Sequence, residues 1–320
     1  MRKLNILILL LVVAFLSSCK KESDLFKTEV KELPKITVNN GRLVFSSTDA
    51  MKETYSLLNT MSKEDVASWS KQYNYSNLQT VIENIKQQNE GILDSTSKMK
   101  YDFIPATMTN LLNDECEMQI GDTIIWVNKN IQYILVRGNE KSLLQLKEIV
   151  NQGNSTPSIE GLKIHEIAKI PIPANNKEKS LNGRWGDARY QYQFTTNSHE
   201  YKIVHSTNCF QYSGWVVVEV HINFEYWHDR IWPLADIWEP AGEQVTKHIN
   251  NVKVYARSGT NAGNGTLNAG PITTNTELYR GVIFTWFTID YVKINGEMKA
   301  TVPQFNKTYN VSGVLWEKSF

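Results

Sequence analysis

Cysteine is scarce in this chain: three residues in 320, Cys19, Cys116 and Cys209, standing far apart. That excludes a disulfide framework and a Cys-rich zinc or cluster site. No CxxC, HExxH, GxSxG or GK[ST] sequence occurs, so the common redox, zinc-protease, nucleophile-elbow and phosphate-loop signatures are missing. Charge of either sign is not in excess, with 34 Lys and Arg against 33 Asp and Glu. A nucleic-acid-binding chain carries a basic stripe, and none is expected here. Apolar runs are short as well; none reaches the ~20 residues that a spanning helix needs.

What is present begins at the N-terminus. Met1-Arg2-Lys3 precedes an apolar run from Ile6 to Leu16, which ends in Leu16-Ser17-Ser18-Cys19. A charged start, a short apolar core and small residues directly before a cysteine form the pattern of a bacterial lipobox. The expectation is a signal peptide over 1–18 and acylation of the Cys19 thiol, with the membrane as a partner through that lipid. Several acyl chains hold where one is marginal. Residues 19–35 are polar and charged, ending near Pro34, and read as a tether. The expected location is the bacterial cell envelope, at the outer membrane. Lys20 and Lys21 directly after the cysteine, with only Glu22 and Asp24 nearby, leave open whether the body faces the periplasm or the surface.

Residues 36–152 read as a mixed α/β module. Leu43-Val44-Phe45 reads as a strand. Thr48-Asp49 opens a helix with Met51, Tyr55 and Leu58 on one face. Ser62 reads as the next cap, with Asp65 at its third position and Met61 packing on Val66; Trp69 and Tyr73 continue the face. Ser76 and Gln79 read as a capping box before Leu78, Val81, Ile82 and Ile85, with Gly91 as the stop. Past Pro105, runs at 117–120, 123–127 and 131–136, separated by Gly121-Asp122 and Asn128-Lys129-Asn130, predict a three-stranded meander. A helix with Leu143, Leu146 and Val150 on one face closes the module, and Gly153 stops it.

Residues 153–184, with Pro157, Pro171, Pro173 and a polar run at 175–179, read as a linker that contains a packed stretch at Ile164, Ile167 and Ile170. From 185 to 320 the pattern is all-β. In 216–226, apolar even positions alternate with Val217, Glu219, His221, Asn223 and Glu225, the mark of a strand buried on one face. Residues 282–291 are apolar on both faces, as in a central strand. Asn295-Gly296 reads as a hairpin turn, and the Gly- and Asn-rich stretch 259–271 as a long hairpin connection. The expected fold is therefore α+β: the helical and meander module followed by an antiparallel β-sandwich, immunoglobulin-like or related, with a barrel as the variant. Cys116 and Cys209 fall in the two different parts, and two buried free thiols are expected.

Leu43-Val44-Phe45, Met61-Ser62-x-Glu64, Trp69 and Ser76-x-Leu78, with Asn113-Asp114 and 119–124, resemble a module near the start of many uncharacterised Bacteroidota lipoproteins. The resemblance covers roughly residues 40–135. It implies an envelope lipoprotein with a domain of unknown function and transfers no site residue. Cys116 stands where that pattern has a glycine-like turn.

Candidate chemistry is thin. Five of the six histidines, His199, His205, His221, His228 and His248, lie in the β part. Neither a metal nor a cofactor is expected. Cys209 with His221 or His248 would make a papain-like peptidase or amidase, but no helix signal follows the cysteine to activate it. The densest feature is the aromatic segment 224–238, in which Tyr226, Trp227, Trp232 and Trp238 interleave with Asp229 and other charges. Trp-rich segments with polar neighbours stack on sugar rings or anchor protein interfaces; they also fill the ends of sandwiches. The expected function is a non-enzymatic binding or structural lipoprotein whose sandwich recognises a glycan or an envelope protein through these five residues. The alternative is an envelope hydrolase, either the cysteine type or a glycosidase using a carboxylate pair among Glu225, Asp229, Asp236 and Glu239.

Overall fold

The helices over 48–58, 63–72, 78–88 and 140–151 each begin where a side-chain oxygen satisfies one of the first free N–H groups. The computed structural model describes residues 36–88, 100–154, 157–170, 188–228, 237–285 and 289–319. Ser47 accepts from the Ala50 N–H at 3.1 Å and opens α1 (Thr48–Leu58). Ser62 accepts from the Asp65 N–H and opens α2 (Lys63–Gln72). The third cap is displaced by one residue from expectation. Asn77, not Ser76, accepts from the Thr80 N–H at 2.9 Å before α3 (Leu78–Gln88), and the Gln79 side chain is taken by the Thr109 hydroxyl. Asn139 caps α4 (Glu140–Asn151), which ends at Gly153 with φ +95°. Gly91, the expected stop of α3, lies outside the described residues.

The strands of the first half are β1 (Ile36–Asn39), β2 (Arg42–Phe45), β3 (Glu117–Ile120), β4 (Thr123–Asn128), β5 (Ile131–Leu135) and β6 (Leu162–Glu166), and they form one sheet in that order. The expected meander is its centre. Strands β2 and β3 are parallel, a pairing that needs a long crossover, and the segment carrying α1–α3 supplies it. Buried Arg42 reaches Glu117 at 2.9 Å and also Glu140, so β2, β3 and α4 share one charge cluster. Lys147 of α4 closes it on Glu117 at 2.5 Å. Cys116, buried just before β3, has φ +64°, so the glycine-like turn exists with a cysteine in it.

The chain continues through β7 (Ala168–Ile170), β8 (Ala188–Thr196), β9 (His199–Tyr212), β10 (Trp215–His228), β11 (Ile237–Pro240), β12 (Val245–Ser258), β13 (Asn261–Thr274), β14 (Leu278–Phe284), β15 (Tyr291–Val302) and β16 (Lys307–Ser319). A second sheet has β9 and β10 at its centre, with β7 and β8 along one side and β11 and β14 along the other. A third runs β13-β12-β15-β16. One apolar cluster joins these two sheets. Val216, Val218, Val220, Ile222 and Phe224 come from the second, and Ile249, Val254, Val292, Ile294, Met298 and Trp316 from the third.

Several expectations are corrected here. Residues 162–170 are not a linker: β6 completes the first sheet, β7 edges the second, and Ile167 between them is 1 % exposed. Nor do the halves close separate cores. The cluster holding Leu43, Met51, Trp69 and Leu78 also holds Phe210, Tyr212, Trp215, Val217 and Ile283, and Lys35–Phe320 forms one compact unit. Asn295-Gly296 is no hairpin turn. It lies inside β15 beside shifts in register, and Gly296 is required because a Cβ there would stand 2.5 Å from the Val252 Cα. The connection expected at 259–271 is only a turn at 259–260, and the rest is strand β13, paired along β12. Its glycines fit a close approach: a Cβ on Gly265 would stand 2.5 Å from the Val282 side chain. The strand expected over 282–291 is displaced to Leu278–Phe284, while Ile289 belongs to the apolar cluster between the sheets.

The even positions of β10 face the sandwich, as the alternation requires. The odd positions are not in water. Val217, Glu219 and His221 lie beneath the layer that carries α1–α3 and are 0 %, 1 % and 5 % exposed. Gly281, opposite Glu219, lets that layer come close, since a Cβ there would meet the Tyr55 hydroxyl at 2.4 Å and Thr107 at 2.9 Å. Gly281→Val should therefore cost about 1–3 kcal/mol of stability in urea unfolding, as overpacking does. An unchanged midpoint would show that the layer does not rest on that glycine.

Candidate functional site

A carboxylate in a run of valines must find donors or remain uncharged. Glu219 finds three hydrogen bonds. Its Oε1 accepts from the Thr107 backbone N–H at 2.8 Å and from the Thr107 hydroxyl at 2.6 Å. The Tyr55 hydroxyl donates in turn to Thr107 Oγ1 at 2.7 Å. Oε2 lies 2.9 Å from Nε2 of His221, whose Nδ1 lies 2.8 Å from Glu277. Asn208 lies 3.3 Å from the same Nε2. The segment 106–108, helix α1, strands β9 and β10 and the start of β14 thus meet in one polar chain.

Both ring nitrogens of His221 face carboxylates, which fits the doubly protonated imidazolium. Burial acts against that charge, but the Glu277 charge and the hydrogen bonds to both carboxylates outweigh it and raise the His221 pKa to about 10. Burial pushes the Glu277 carboxyl upward, and His221 more than reverses this, so that Glu277 titrates below the usual range. Lys247, fully buried on β12, donates to the Thr276 carbonyl at 2.5 Å, and burial lowers its pKa to about 8. A cleft of about 270 Å³ opens beside this chain, with Lys86, Tyr101, Lys169 and Tyr279 on its walls. It is a seam cavity between the helical layer and the second sheet.

Of the five aromatic-segment residues, the structure brings together two. Trp227 and Trp238 face each other directly across β10 and β11, half-buried, with ring centres 5.4 Å apart in an edge-on arrangement. The Lys202 ammonium sits 4.1 Å above the Trp238 ring and pairs with Glu225 at 2.6 Å. Tyr226 belongs to the opposite face, packed on the sandwich core with its hydroxyl donating to Glu239 at 3.0 Å. Asp229, Trp232 and Cys19 lie outside the described residues.

Among the described residues, neither the Cys209–His221 nor the Glu225–Glu239 pairing is assembled, and Asp229 and Asp236 lie outside them. Cys209 pairs with Val218 and faces the sandwich core at 0 % exposure, whereas His221 faces the helical layer. Glu225 and Glu239 fall on opposite faces, because Glu239 pairs with Tyr226. His221 does not share a site with Glu225; it is held by Glu219 and Glu277 and is buried rather than solvated. Among the described residues, no group of three His, Cys, Asp or Glu side chains is arranged to hold a metal ion. Cys116 and Cys209 are both buried and form no disulfide, and burial pushes the Cys116 thiol to about 12. No described helix is long and apolar enough to cross a membrane.

Sequence reasoning missed Glu219, Thr107, Tyr55 and Glu277 as partners. One signal was available: Val217 interrupts the polar face of β10, so that face is apolar exactly where the helical layer covers it.

No protein-family model matches the chain, and no curated protein does. Among solved structures, a DUF4848 family protein from Bacteroides thetaiotaomicron aligns over 87 % of this chain and 100 % of its own, at 13 % identity and a TM-score of 0.23. A likeness of that depth carries no argument about activity.

Removing Glu219 strands an imidazolium and two donors in the interior. Glu219→Ala should cost about 3–5 kcal/mol in urea unfolding; a loss below 1 kcal/mol would remove the polar chain from the account of stability. The His221 pKa is raised on folding, so its contribution is complete below the unfolded value near 6.5 and is lost as pH rises through about 10. Lys247 works the other way, gaining stability above about 8. The stability difference between wild type and His221→Gln isolates the histidine, and it should shrink steadily from neutral pH to pH 10. A difference independent of pH would mean that the ring is not held charged.

Proposed function

We propose that this chain is a lipid-anchored binding protein of the bacterial cell envelope. In this reading Cys19 carries the lipid, residues 20–35 span the gap, and the β-rich body presents a glycan-binding surface at the β10–β11 end. A protein partner would suit the same aromatic pair. The observation that carries the reading is the Trp227–Trp238 pair, two half-buried indoles side by side with a lysine over one of them. Indole rings are efficient anchors for sugar faces and for interfaces, because they bring large apolar area at little entropic cost.

Two arrangements weigh against the hydrolase alternative. Cys209 and His221 are on opposite faces of one sheet, and His221 is saturated by two carboxylates. Glu225 is spent on Lys202 and lies across the sheet from Glu239.

Two measurements test the proposal. Cys19→Ser should abolish metabolic labelling with palmitate and move the protein out of the membrane fraction; persistent labelling would overturn the anchor. Trp227→Ala and Trp238→Ala should weaken retention by soluble polysaccharides in affinity electrophoresis while unfolding close to wild type. If both variants instead lose ~3–5 kcal/mol of stability, the pair is core packing and the surface reading fails.

A further inference from the structure

Arg280 is a charge at the seam with no ion-pair partner among the described residues. Its Nη1 donates to the Tyr279 carbonyl at 2.8 Å, its Nε is buried without a partner, and no carboxylate of the described residues lies within ion-pair distance. Burial lowers its pKa, and only Tyr279 acts in the other direction. Arg280 itself is half-buried, with Nε enclosed, and the fully buried cations described above are each matched or bonded. Arg42 has Glu117 and Glu140, His221 has Glu219 and Glu277, and Lys247 has the Thr276 carbonyl.

Arg280 lines a cleft of about 330 Å³ between the α1–α2 turn and the connection from β13 to β14. Asn110, 7 % exposed, lines the same cleft, and its Oδ1 is buried without a partner. Thr273, Thr274 and Ser62 add hydroxyls to the walls. The carboxylates there do not meet the guanidinium: Glu277 is held by His221, and Glu64 forms no ion pair among the described residues. A buried guanidinium Nε and a buried amide oxygen, both without partners among the described residues and in one cavity, are what a polar ligand would satisfy.

We propose that this cleft binds a small hydroxylated ligand bearing an oxyanion, a carboxylate or a phosphate, with Arg280 gripping the anion and Asn110 bonding a neighbouring hydroxyl. Guanidinium matches both anions through paired N–H donors. The volume suits a ligand of monosaccharide size. The site is separate from the Trp227–Trp238 surface and does not depend on it.

The test uses the full chain with three probes, glucuronate, glucose 1-phosphate and glucose, followed by calorimetry and thermal melting. At least one anionic probe should bind and raise the melting temperature, glucose should do neither, and which anion binds separates carboxylate from phosphate. Arg280→Gln should weaken that binding by about tenfold or more. Without probe, Arg280→Gln should melt close to wild type, because the arginine has no carboxylate partner to lose among the described residues and the glutamine amide can replace its bond to the Tyr279 carbonyl. Asn110→Ser, which keeps a hydroxyl in the cleft, should retain partial binding. Failure of both anionic probes, equal binding of glucose, binding indifferent to Arg280→Gln, or a large fall in the melting temperature of the unliganded variant would each overturn the proposal.

Discussion

The structure depends on satisfying one carboxylate. Glu219 sits among Val216, Val217, Val218 and Val220 on a central strand, 1 % exposed, and cannot reach water. Leaving it unpaired in the interior would cost several kcal/mol, comparable to the whole stability of a domain. The segment 106–108 supplies a backbone N–H and a hydroxyl, and His221 supplies a charge. Because the Thr107 donors belong to the helical half and the carboxylate to the β half, the requirement joins the two. Glu277 then balances the imidazolium, and this fixes where β14 begins.

The same joint explains the packing around it. Val217 and Ile283 extend the apolar surface on which the helical layer rests, and Gly281 removes the side chain that would hold Tyr55 and Thr107 away. Strands β6 and β7, one residue apart in the chain, end one sheet and edge the next. The chain therefore passes from half to half without a free linker, and residues from both enter one apolar cluster.

Local features were legible in the sequence, and relations between distant segments were not. The helix beginning at Thr48, the cap at Ser62 and the meander at 117–135 follow from caps, turns and periodicity within a few residues, although the oxygen that caps the first helix belongs to Ser47. The cap at Asn77 was misplaced by one residue because serine and asparagine stand side by side and serve equally. Asn295-Gly296 and 259–271 misled for a tertiary reason: their glycines answer the approach of Val252 and Val282, which no local pattern reveals. The odd face of β10 looked solvated because Glu219, His221, Asn223 and Glu225 are polar; the donors that satisfy Glu219 come from residue 107, more than 100 positions away, and His221 is held by Glu219 and by Glu277, 56 positions on. Of the aromatic segment, the cross-strand meeting of Trp227 and Trp238 emerged only with the β10–β11 register, which also turned Tyr226 to the other face.

The central claim is that the helical layer and the sandwich form one cooperative structure held at Glu219. Hydrogen exchange followed by mass spectrometry across a urea series tests it most directly, by comparing peptides from α1 and α3 with peptides from β12 and β15. The account predicts that all four lose protection at the same urea concentration. Loss of protection in α1 and α3 well before β12 and β15 would contradict it, and would describe two bodies in contact rather than one.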